Sequence, residues 1–533
     1  MISISSFAAA LLSTALLGEL GAEGGVHAKE AKTRAAQDVF FIDSSLELDA
    51  RLLSWRVLTG VGREGRGQRD LVLTLLLDNG SRELRLHNLN KRGVERDPRV
   101  RVSIKEDITA WSVANVRPEA GLELLLITDS GVWSYSVTHS GYRGNVQALV
   151  KAPMLFDIPS PDAFPYWAYR LPSSRGAGLD PILLPQAEGL VLWSAQTDDA
   201  GDSFYTQQHV VGADSEDPYL DYVESYDAIR RYRNASDRNG PFMGDGDDGG
   251  DMLASAQGFD APAVVDVDGD GRRDVLALGE DGLRVYLSAG RVPTRTEPMP
   301  KYMDPGDGRR RLMLSDVDSD GDIDFLVILQ GDLKSLGKAP AKILVLINDG
   351  HRLLPDKPTQ VLKLDGTELR VQVTDVNGDG RGDLVVRKFE LPGVTDAITG
   401  LKFEFTHLVF FGEGRAFARK PAVKHVETYD ERNVQDAVGN YELRADCSGD
   451  GVADLAAVDL EGRITLRRIK FRDGGLFRSD SWSLDPAPWK SFDTPGELTS
   501  LRVQDLNGDG LGDLISGSER RLTIQVTQRR GSR

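Results

Sequence analysis

Apolar segments of two kinds recur along the chain, and both predict β-strands. Leu369, Val371 and Val373 alternate with polar residues, which is the period of a strand with one buried face. The residues that follow Asp324 are continuously apolar and partly β-branched, as in a strand buried on both faces. Asp-Gly and Glu-Gly turns at 281–282 and 461–462 then lead into further strand-like segments. The pattern therefore predicts an all-β fold.

An acidic motif stands directly before five of the continuous apolar runs. Its form is D-x-[D/N/S]-x-D-G-x-x-D, and the copies begin at Asp266, Asp316, Asp375, Asp446 and Asp505. They are called here the first to fifth loops, and their positions are numbered 1 to 9. One short acidic loop would mean little, but five copies with the same apolar continuation indicate a repeat architecture.

The distance between the loops predicts the size of the repeat. Successive copies are 50, 59, 71 and 59 residues apart, which is room for four strands of about five or six residues with their turns. Four-stranded repeats of this kind form the blades of a β-propeller. Degenerate copies near residues 62, 115 and 185 bring the predicted number of blades to eight. Seven is the alternative, if the segment near 185 is an insertion.

The degenerate copies keep the apolar run but lose most of the acidic positions. Residues 62–70 keep Gly67 and Asp70 at positions 6 and 9, but Arg66 stands at position 5. Residues 115–123 have Arg117 at position 3, and a third copy is placed at 185–193. Because the two arginines would put positive charge where a cation would lie, no metal is predicted in these copies.

The two ends of the chain are predicted to share one blade. Only three strands belong to the last repeat, so residues 39–42 are expected to pair with residues 522–526 as its outer strand and to remove an exposed edge. The pattern breaks between 212 and 259, where a small helical insertion is predicted near 217–235. The domain prediction is a propeller over 36–533, with degenerate repeats at about 50–210 and acidic-loop repeats at 262–533.

The oxygen atoms at positions 1, 3, 5 and 9 are suited to bind Ca²⁺. This hard cation takes six to eight oxygen ligands in flexible geometry, whereas Mg²⁺ demands a stricter octahedron. Glycine at position 6 permits the sharp turn, and position 7 would offer its backbone carbonyl. The alternative is an acidic glycine turn without metal. The sequence predicts about five Ca²⁺ sites, with these ligands: Asp266, Asp268, Asp270 and Asp274; Asp316, Asp318, Asp320 and Asp324; Asp375, Asn377, Asp379 and Asp383; Asp446, Ser448, Asp450 and Asp454; Asp505, Asn507, Asp509 and Asp513.

The loops are not EF-hands, since an EF-hand requires a glutamate at position 12 and flanking helices. Position 12 is instead Ala277, Val327, Val386, Ala457 or Ser516. An acidic loop that joins two strands resembles the FG-GAP/VCBS repeat family, whose loops of this kind lie in β-propellers like those of integrin α-subunits. The resemblance covers residues 262–533 well and extends only faintly into the N-terminal half. It implies a calcium-binding β-propeller.

Charge and the N-terminus limit where the protein acts. The net charge is −18, with 82 acidic and 64 basic residues, so no nucleic-acid partner is expected. Residues 2–17 are small and apolar, and residues 26–28 offer a cleavage site, so 1–28 is predicted to be a signal peptide. A membrane anchor or an ordinary helix is the alternative. No second segment is long enough to span a bilayer, and an exported protein is expected, extracellular, at the cell surface or periplasmic.

The only cysteine, Cys447, excludes an intrachain disulfide, so bound Ca²⁺ would be the element that stabilises an exported fold. No catalytic motif of the hydrolase, zinc-peptidase, thiol-redox or P-loop type is present, and no catalytic residue is predicted. The first functional hypothesis is therefore a non-catalytic binding module for a protein or a glycan. The alternatives are a carbohydrate-active enzyme, such as a calcium-dependent polysaccharide lyase, and a structural subunit of a surface complex.

Overall fold

The computed structural model describes the greater part of the chain from residue 39 onward. The described residues are 39–61, 69–118, 121–138, 141–142, 146–154, 164, 166–167, 178–186, 189–197, 203–211, 252–256, 259–261, 263–268, 274–279, 282–287, 294–306, 309–331, 339–350, 352–366, 368–390, 402–430, 441–459, 461–472, 481–494, 496 and 498–530. The predicted signal peptide, the predicted helix near 217–235 and the Gly/Asp-rich stretch 244–251 lie outside them.

The N-terminal half supplies the closing strand and three blades. Its strands are β1 (Val39–Glu47); in blade 1, β2 (Arg51–Thr59), β3 (Arg69–Leu76), β4 (Arg82–Asn90), β5 (Gly93–Val94) and β6 (Val100–Ile104); in blade 2, β7 (Ile108–Ala114), β8 (Glu123–Thr128), β9 (Gly131–Tyr135), the hairpin β10 (Val137–Thr138) and β11 (Gly141–Tyr142), and β12 (Gln147–Lys151); in blade 3, β13 (Ile182–Gln186), β14 (Gly189–Thr197) and β15 (Ser203–Val211).

The middle of the chain forms a hairpin and blades 4 and 5. Its elements are β16 (Met252–Ala256) and β17 (Phe259–Ala261); in blade 4, β18 (Ala263–Val265), β19 (Asp274–Gly279), β20 (Gly282–Tyr286) and β21 (Arg295–Glu297); a 3₁₀ turn (Lys301–Met303); and in blade 5, β22 (Arg309–Ser315), β23 (Asp324–Gln330), β24 (Pro340–Leu346) and β25 (Gln360–Asp365). The hairpin joins blade 5 through pairing of β16 with β22.

The C-terminal part forms blades 6 to 8. Its strands are, in blade 6, β26 (Glu368–Thr374), β27 (Asp383–Glu390), β28 (Lys402–Phe410) and β29 (Val423–Asp430); in blade 7, β30 (Tyr441–Glu442), β31 (Asp454–Val458), β32 (Ile464–Arg472), β33 (Ser481–Leu484) and β34 (Lys490–Phe492); in blade 8, β35 (Leu498–Gln504), β36 (Asp513–Ser518) and β37 (Arg521–Arg529) together with β1. The antiparallel blades are arranged as an eight-bladed propeller, which confirms the predicted all-β fold and the count of eight.

The N-terminal strand closes the ring, as predicted. β1 pairs with β37 along its whole length, from Val39 opposite Arg529 to Glu47 opposite Arg521. Phe41 of β1 also packs on Phe492 of blade 7, with ring centroids 4.9 Å apart. On the other side, the Ser44 hydroxyl donates to the carbonyl of Val94 in blade 1 at 3.2 Å. The closing strand therefore belongs to blade 8 and contacts both neighbouring blades.

Most strands are buried on both faces because adjacent blades pack on one another. In β23 the residues from Asp324 to Leu329 are all buried, as the continuous apolar run predicts. In β26 the alternation is misleading, since Gln372 is buried and its side-chain nitrogen donates to the carbonyl of Leu443 in blade 7 at 2.8 Å. Arg311 of β22 likewise donates to the carbonyl of Leu369. The first strands of blades 5, 6 and 7 thus lie side by side.

Candidate metal centres

Each acidic loop joins the first strand of its blade to the second. Position 9 is in every case the first residue of that second strand, at Asp274, Asp324, Asp383, Asp454 and Asp513. These five carboxylates are at most 1 % exposed. The apolar run that follows position 9 enters the interface between blades and carries the aspartate with it. The propeller therefore places one buried acidic side chain at the same end of each of blades 4 to 8.

The carboxylate at position 9 fixes the fold of its own loop. In all five copies its Oδ2 accepts the backbone N–H of position 2, with donor–acceptor distances of 2.9 Å at Val267, 2.8 Å at Val317, 2.9 Å at Val376, 2.9 Å at Cys447 and 2.7 Å at Leu506. Bonds of a backbone amide to a charged acceptor are stronger than neutral ones. This shared bond ties the beginning of each loop to the strand that follows it.

The other oxygen of position 9 reaches across the blade. Oδ1 of Asp324 accepts the N–H of Asn348 at 2.8 Å, and Oδ1 of Asp383 accepts the N–H of Gly412 at 2.8 Å. In the fifth loop, Oδ1 of Asp513 accepts the N–H of Thr527 at 2.7 Å. These donors lie after or within the third strand of the blade. Position 9 is thus a structural residue as well as a candidate ligand.

The carboxylate at position 1 organises the turn itself. In the third loop Asp375 accepts the N–H groups of Gly378 at 2.7 Å and Gly380 at 2.8 Å, and the fourth and fifth loops repeat both bonds. Gly378 and Gly380 have φ values of 74° and 84°, a left-handed conformation that glycine adopts without steric cost. In the second loop position 4 is Ser319, which takes φ 61°. The glycines at positions 4 and 6 therefore serve this geometry.

Two loops bring three carboxylates together at a distance suited to one cation. Oxygen atoms of Asp266, Asp268 and Asp274 lie within 4.8 Å of one another, and so do those of Asp316, Asp318 and Asp324. Oδ1 of Asp316 and Oδ1 of Asp318 are buried, and neither has a hydrogen-bond partner among the residues that the structure describes. Buried anionic oxygens without a donor are costly unless a cation neutralises them. The guanidinium of Arg415 lies 3.4 Å from Oδ2 of Asp318 and offsets part of the charge of the three carboxylates. The donor set consists of oxygen only, which fits a hard metal ion.

The pKa values of the loop aspartates also favour a bound cation at these sites. Burial raises the pKa of Asp316 and of Asp318, and the nearby carboxylate of Asp320 raises both further. Burial raises the pKa of Asp324, Asp383 and Asp513 to about 7. The pKa of the buried Asp454 is also raised, by burial first and then by two aspartates of its loop. A bound cation would relieve this unfavourable burial of negative charge.

The remaining predicted ligands are placed differently. Asp320 is not part of the group around Asp316, and its Oδ1 accepts the N–H of Asp322 at 2.9 Å. Asp379 likewise accepts the N–H of Arg381 at 2.9 Å, and Asn377 donates to Asp379 at 3.2 Å. In the other loops the predicted position-5 aspartates Asp450 and Asp509 make the same turn bond, at 3.0 Å and 2.9 Å. Asp270 lies outside the described residues.

Two of the three degenerate copies keep an acid at position 9 for its structural role, whereas the copy at 185–193 has Trp193 there. Oε2 of Glu123 accepts the N–H groups of Val116 at 2.9 Å and Arg117 at 3.2 Å, as position 9 does in the acidic loops. In blade 1, the buried carboxylate of Asp70 accepts two bonds from Arg99, at 3.1 Å and 3.0 Å. A guanidinium therefore neutralises this carboxylate. The motif pattern placed such a charge at Arg66, which lies outside the described residues. It gives no signal for Arg99, which stands 29 residues from Asp70.

The sequence around the first two loops matches a known family. Residues 266–327 match the family described as FG-GAP-like repeat. Together with the eight-bladed architecture, this match supports an FG-GAP repeat β-propeller. No curated protein matches the chain significantly. Among the residues that the structure describes, no helix has the length and apolar character needed to cross a membrane.

Several solved structures are similar to the chain at low identity. The WD40 domain of SCAP from fission yeast is 9 % identical, with 91 % of this chain and 98 % of that chain covered and a TM-score of 0.37. The biofilm matrix protein Bap1 of V. cholerae is 10 % identical, with coverages of 93 % and 92 % and a TM-score of 0.30. Sqt1 of Chaetomium thermophilum, solved with the N-terminus of ribosomal protein L10, is 11 % identical, with coverages of 90 % and 98 % and a TM-score of 0.35.

Proposed function

We propose that this protein is an exported, calcium-stabilised β-propeller that acts as a non-catalytic binding module for a protein or a glycan. The FG-GAP propeller fold supports an interaction module in general. Two observations carry the calcium part. One carboxylate oxygen each of Asp316, Asp318 and Asp324 lies within 4.8 Å of the others, and Oδ1 of Asp316 and of Asp318 is buried without a hydrogen-bond partner among the described residues. Such a group favours a doubly charged, oxygen-seeking cation over any neutral ligand.

In each loop, Ca²⁺ would be held by side-chain oxygens at positions 1, 3 and 9, with position 5 and the position-7 carbonyl completing the shell. When bound, the ion supplies positive charge that stabilises the ionised carboxylates and joins the first and second strands of the blade. The protein itself supplies the arrangement, since position 9 fixes the loop and position 1 fixes the turn through backbone amides. The ion is thus a structural element in this proposal.

The polysaccharide lyase alternative requires a base that can reach a substrate. In the described part of the chain, His407 and Tyr429 are 3 % and 6 % exposed. Both are bound to the carboxylate of Glu427, at 2.9 Å and 3.2 Å. These two groups therefore stabilise the interface between blades 6 and 7 and are not available to a polymer in solution.

The function is tested in two stages with the full chain. Calorimetric titration of metal-stripped protein with CaCl₂ tests the sites, and a glycan array probed in Ca²⁺ and in EGTA tests recognition. Uronate-containing polysaccharides are incubated with the protein in parallel, and the absorbance of unsaturated products is followed. Saturable glycan or protein binding without product formation supports the module. Formation of unsaturated product would replace it with the lyase.

A further inference from the structure

Neighbouring acidic loops are hydrogen bonded to each other across the boundaries between blades. The N–H of Ala453, at position 8 of the fourth loop, donates to the carbonyl of Val376 in the third loop at 2.8 Å. The N–H of Gly512, at position 8 of the fifth loop, donates to the carbonyl of Asp446 in the fourth loop at 2.8 Å. The third, fourth and fifth loops therefore form one continuous series of backbone contacts over three blades.

The same loops are packed too closely to move independently. A Cβ atom on Gly378 would lie 2.1 Å from the carbonyl oxygen of Gly451, so the third and fourth loops touch backbone to backbone. A Cβ atom on Gly512 would lie 2.8 Å from the Cβ of Ala445 and 2.9 Å from the Sγ of Cys447. No side chain and no water fits between these segments, so a displacement of one loop is transmitted to the next.

The bonded groups lie beside the candidate ligands. Each donor is the residue between position 7, whose carbonyl would face the ion, and position 9, whose carboxylate would bind it. Each acceptor carbonyl belongs to position 1 itself, at Asp446, or to the residue between positions 1 and 3, at Val376. An ion that orders positions 7 to 9 of one loop therefore also orders position 1 of the loop in the preceding blade.

Building on the proposed calcium binding, we propose that the third, fourth and fifth loops bind Ca²⁺ cooperatively. Ala453 and Gly512 act as positioning residues, each for the site of the preceding blade. Binding of the first ion orders backbone that the neighbouring site shares, so the second ion binds with a smaller ordering cost. By thermodynamic linkage, each site raises the affinity of the other by the same factor. The fourth loop, which has Ser448 in place of a carboxylate or amide, contacts both neighbours and depends on them most.

The second loop offers a matched control. A Cβ atom on Gly382 of the third loop would lie 3.5 Å from the carbonyl of Asp316, an ordinary van der Waals distance. Among the described residues, no backbone hydrogen bond of the kind made by Ala453 and Gly512 joins these two loops. The contact of blade 6 with the second loop is instead a side-chain ion pair of the 60 % exposed Arg415 with Asp318, at 3.4 Å. Asp320 and Asp450 both occupy position 5 and both accept the N–H two residues further on, which an asparagine oxygen can also do. Asp320→Asn and Asp450→Asn therefore each replace one candidate carboxylate ligand by a neutral amide oxygen and keep the turn.

The test is equilibrium Ca²⁺ binding to the metal-stripped full chain, by competition with a chromophoric chelator. The Ca²⁺ binding curve of the wild-type protein is expected to contain a steep phase, from the third to fifth loops, with a Hill coefficient above 1. Asp450→Asn should abolish that steepness and weaken two further sites at least about fivefold, the lower end of typical coupling. Asp320→Asn should weaken one site, because that site loses one negative charge, and leave the steep phase unchanged. Equal effects of the two variants, with all other sites unaltered, would overturn cooperativity and leave calcium binding intact.

Gly512→Ala gives a second measurement that removes no ligand. The added methyl group would clash with Ala445 and Cys447 of the preceding blade and, at 2.8 Å from Cγ1, with Val503 of its own blade. The fifth loop must therefore shift, and the steep phase should flatten although every candidate oxygen is present. Circular dichroism in EGTA establishes that the variant is folded. A folded Gly512→Ala protein with wild-type steepness would refute the inter-loop path. Wild-type protein that binds no Ca²⁺ at all would instead refute the proposed function on which this inference rests.

Discussion

Metal-free protein is expected to lose stability as the pH rises, because three buried carboxyl groups have raised pKa values. The pKa of Asp324, Asp383 and Asp513 is about 7 in the folded protein, against an ordinary value of 3.8. Each folded carboxyl therefore holds its proton more tightly than the unfolded chain does. Their contribution is most favourable at low pH and is lost as the pH rises through about 7. Bound Ca²⁺ would stabilise the ionised form and remove this dependence.

The size of the effect follows from the same shifts. Between about pH 5.5 and about pH 8.5, each of the three carboxyls changes the free energy of unfolding by about 2 kcal/mol, or about 6 kcal/mol together. A chain of 533 residues has an unfolding entropy on the order of 1 kcal/mol/K. The melting temperature of the metal-free protein should therefore fall by about 6 °C across this range relative to the protein in Ca²⁺.

The assay is a series of thermal melts at several pH values, with protein stripped on chelating resin and with the same protein in millimolar Ca²⁺. Asp513→Asn removes one of the three titrating groups, so the difference between the two series should shrink by about a third. Asp356→Asn is the control, since this side chain is 92 % exposed and lies outside the loops. Parallel pH profiles with and without Ca²⁺ would refute the reasoning that the loops carry uncompensated buried charge.

Three further changes test the account of the fold. Deleting residues 36–43 should lower the melting temperature by several degrees even in saturating Ca²⁺, because the closing strand loses half its pairing; a melt equal to that of the parent would contradict ring closure. Glu123→Gln should cost about 1–3 kcal/mol in denaturant unfolding, and the loss should be the same in EGTA, since blade 2 holds no metal in this account. Glu427→Gln should cost about 3–5 kcal/mol, because Arg467 and His407 lose a buried partner; a neutral result would show that this cluster does not join blades 6 and 7.

Most of the architecture can be predicted from the sequence, because the motifs that mark each blade lie within short stretches of chain. The acidic motif and the apolar run after it are contiguous, so the position of each loop between two strands follows from spacing alone. The pairing of residues 39–42 with residues 522–526 was predicted from a count of strands. The structure confirms that the first strand pairs with the last, but residues 39–42 lie opposite 526–529, so the predicted register was wrong except at Ile42 and Val526. The first strand could be assigned to the last blade because an incomplete blade would leave an exposed strand edge.

What could not be predicted depends on contacts between blades. Asp70 is neutralised by Arg99, which belongs to no motif and comes near only through the pairing of strands in blade 1. The burial of Gln372 follows from its bond to blade 7 and runs against the alternation of its strand. The amide of Gly512 donates to the backbone of the preceding loop, 66 residues earlier in the sequence. A backbone hydrogen bond requires no particular side chain, so the sequence does not indicate it.

Calorimetric titration of the metal-stripped full chain with CaCl₂ measures directly whether the acidic loops bind Ca²⁺. We expect saturable binding of about five ions, with millimolar or tighter affinity, and one weakened site in Asp320→Asn. A titration without binding heat, together with a melting temperature that is the same in EGTA and in millimolar Ca²⁺, would contradict this expectation and leave the acidic loops as turns held by their own hydrogen bonds.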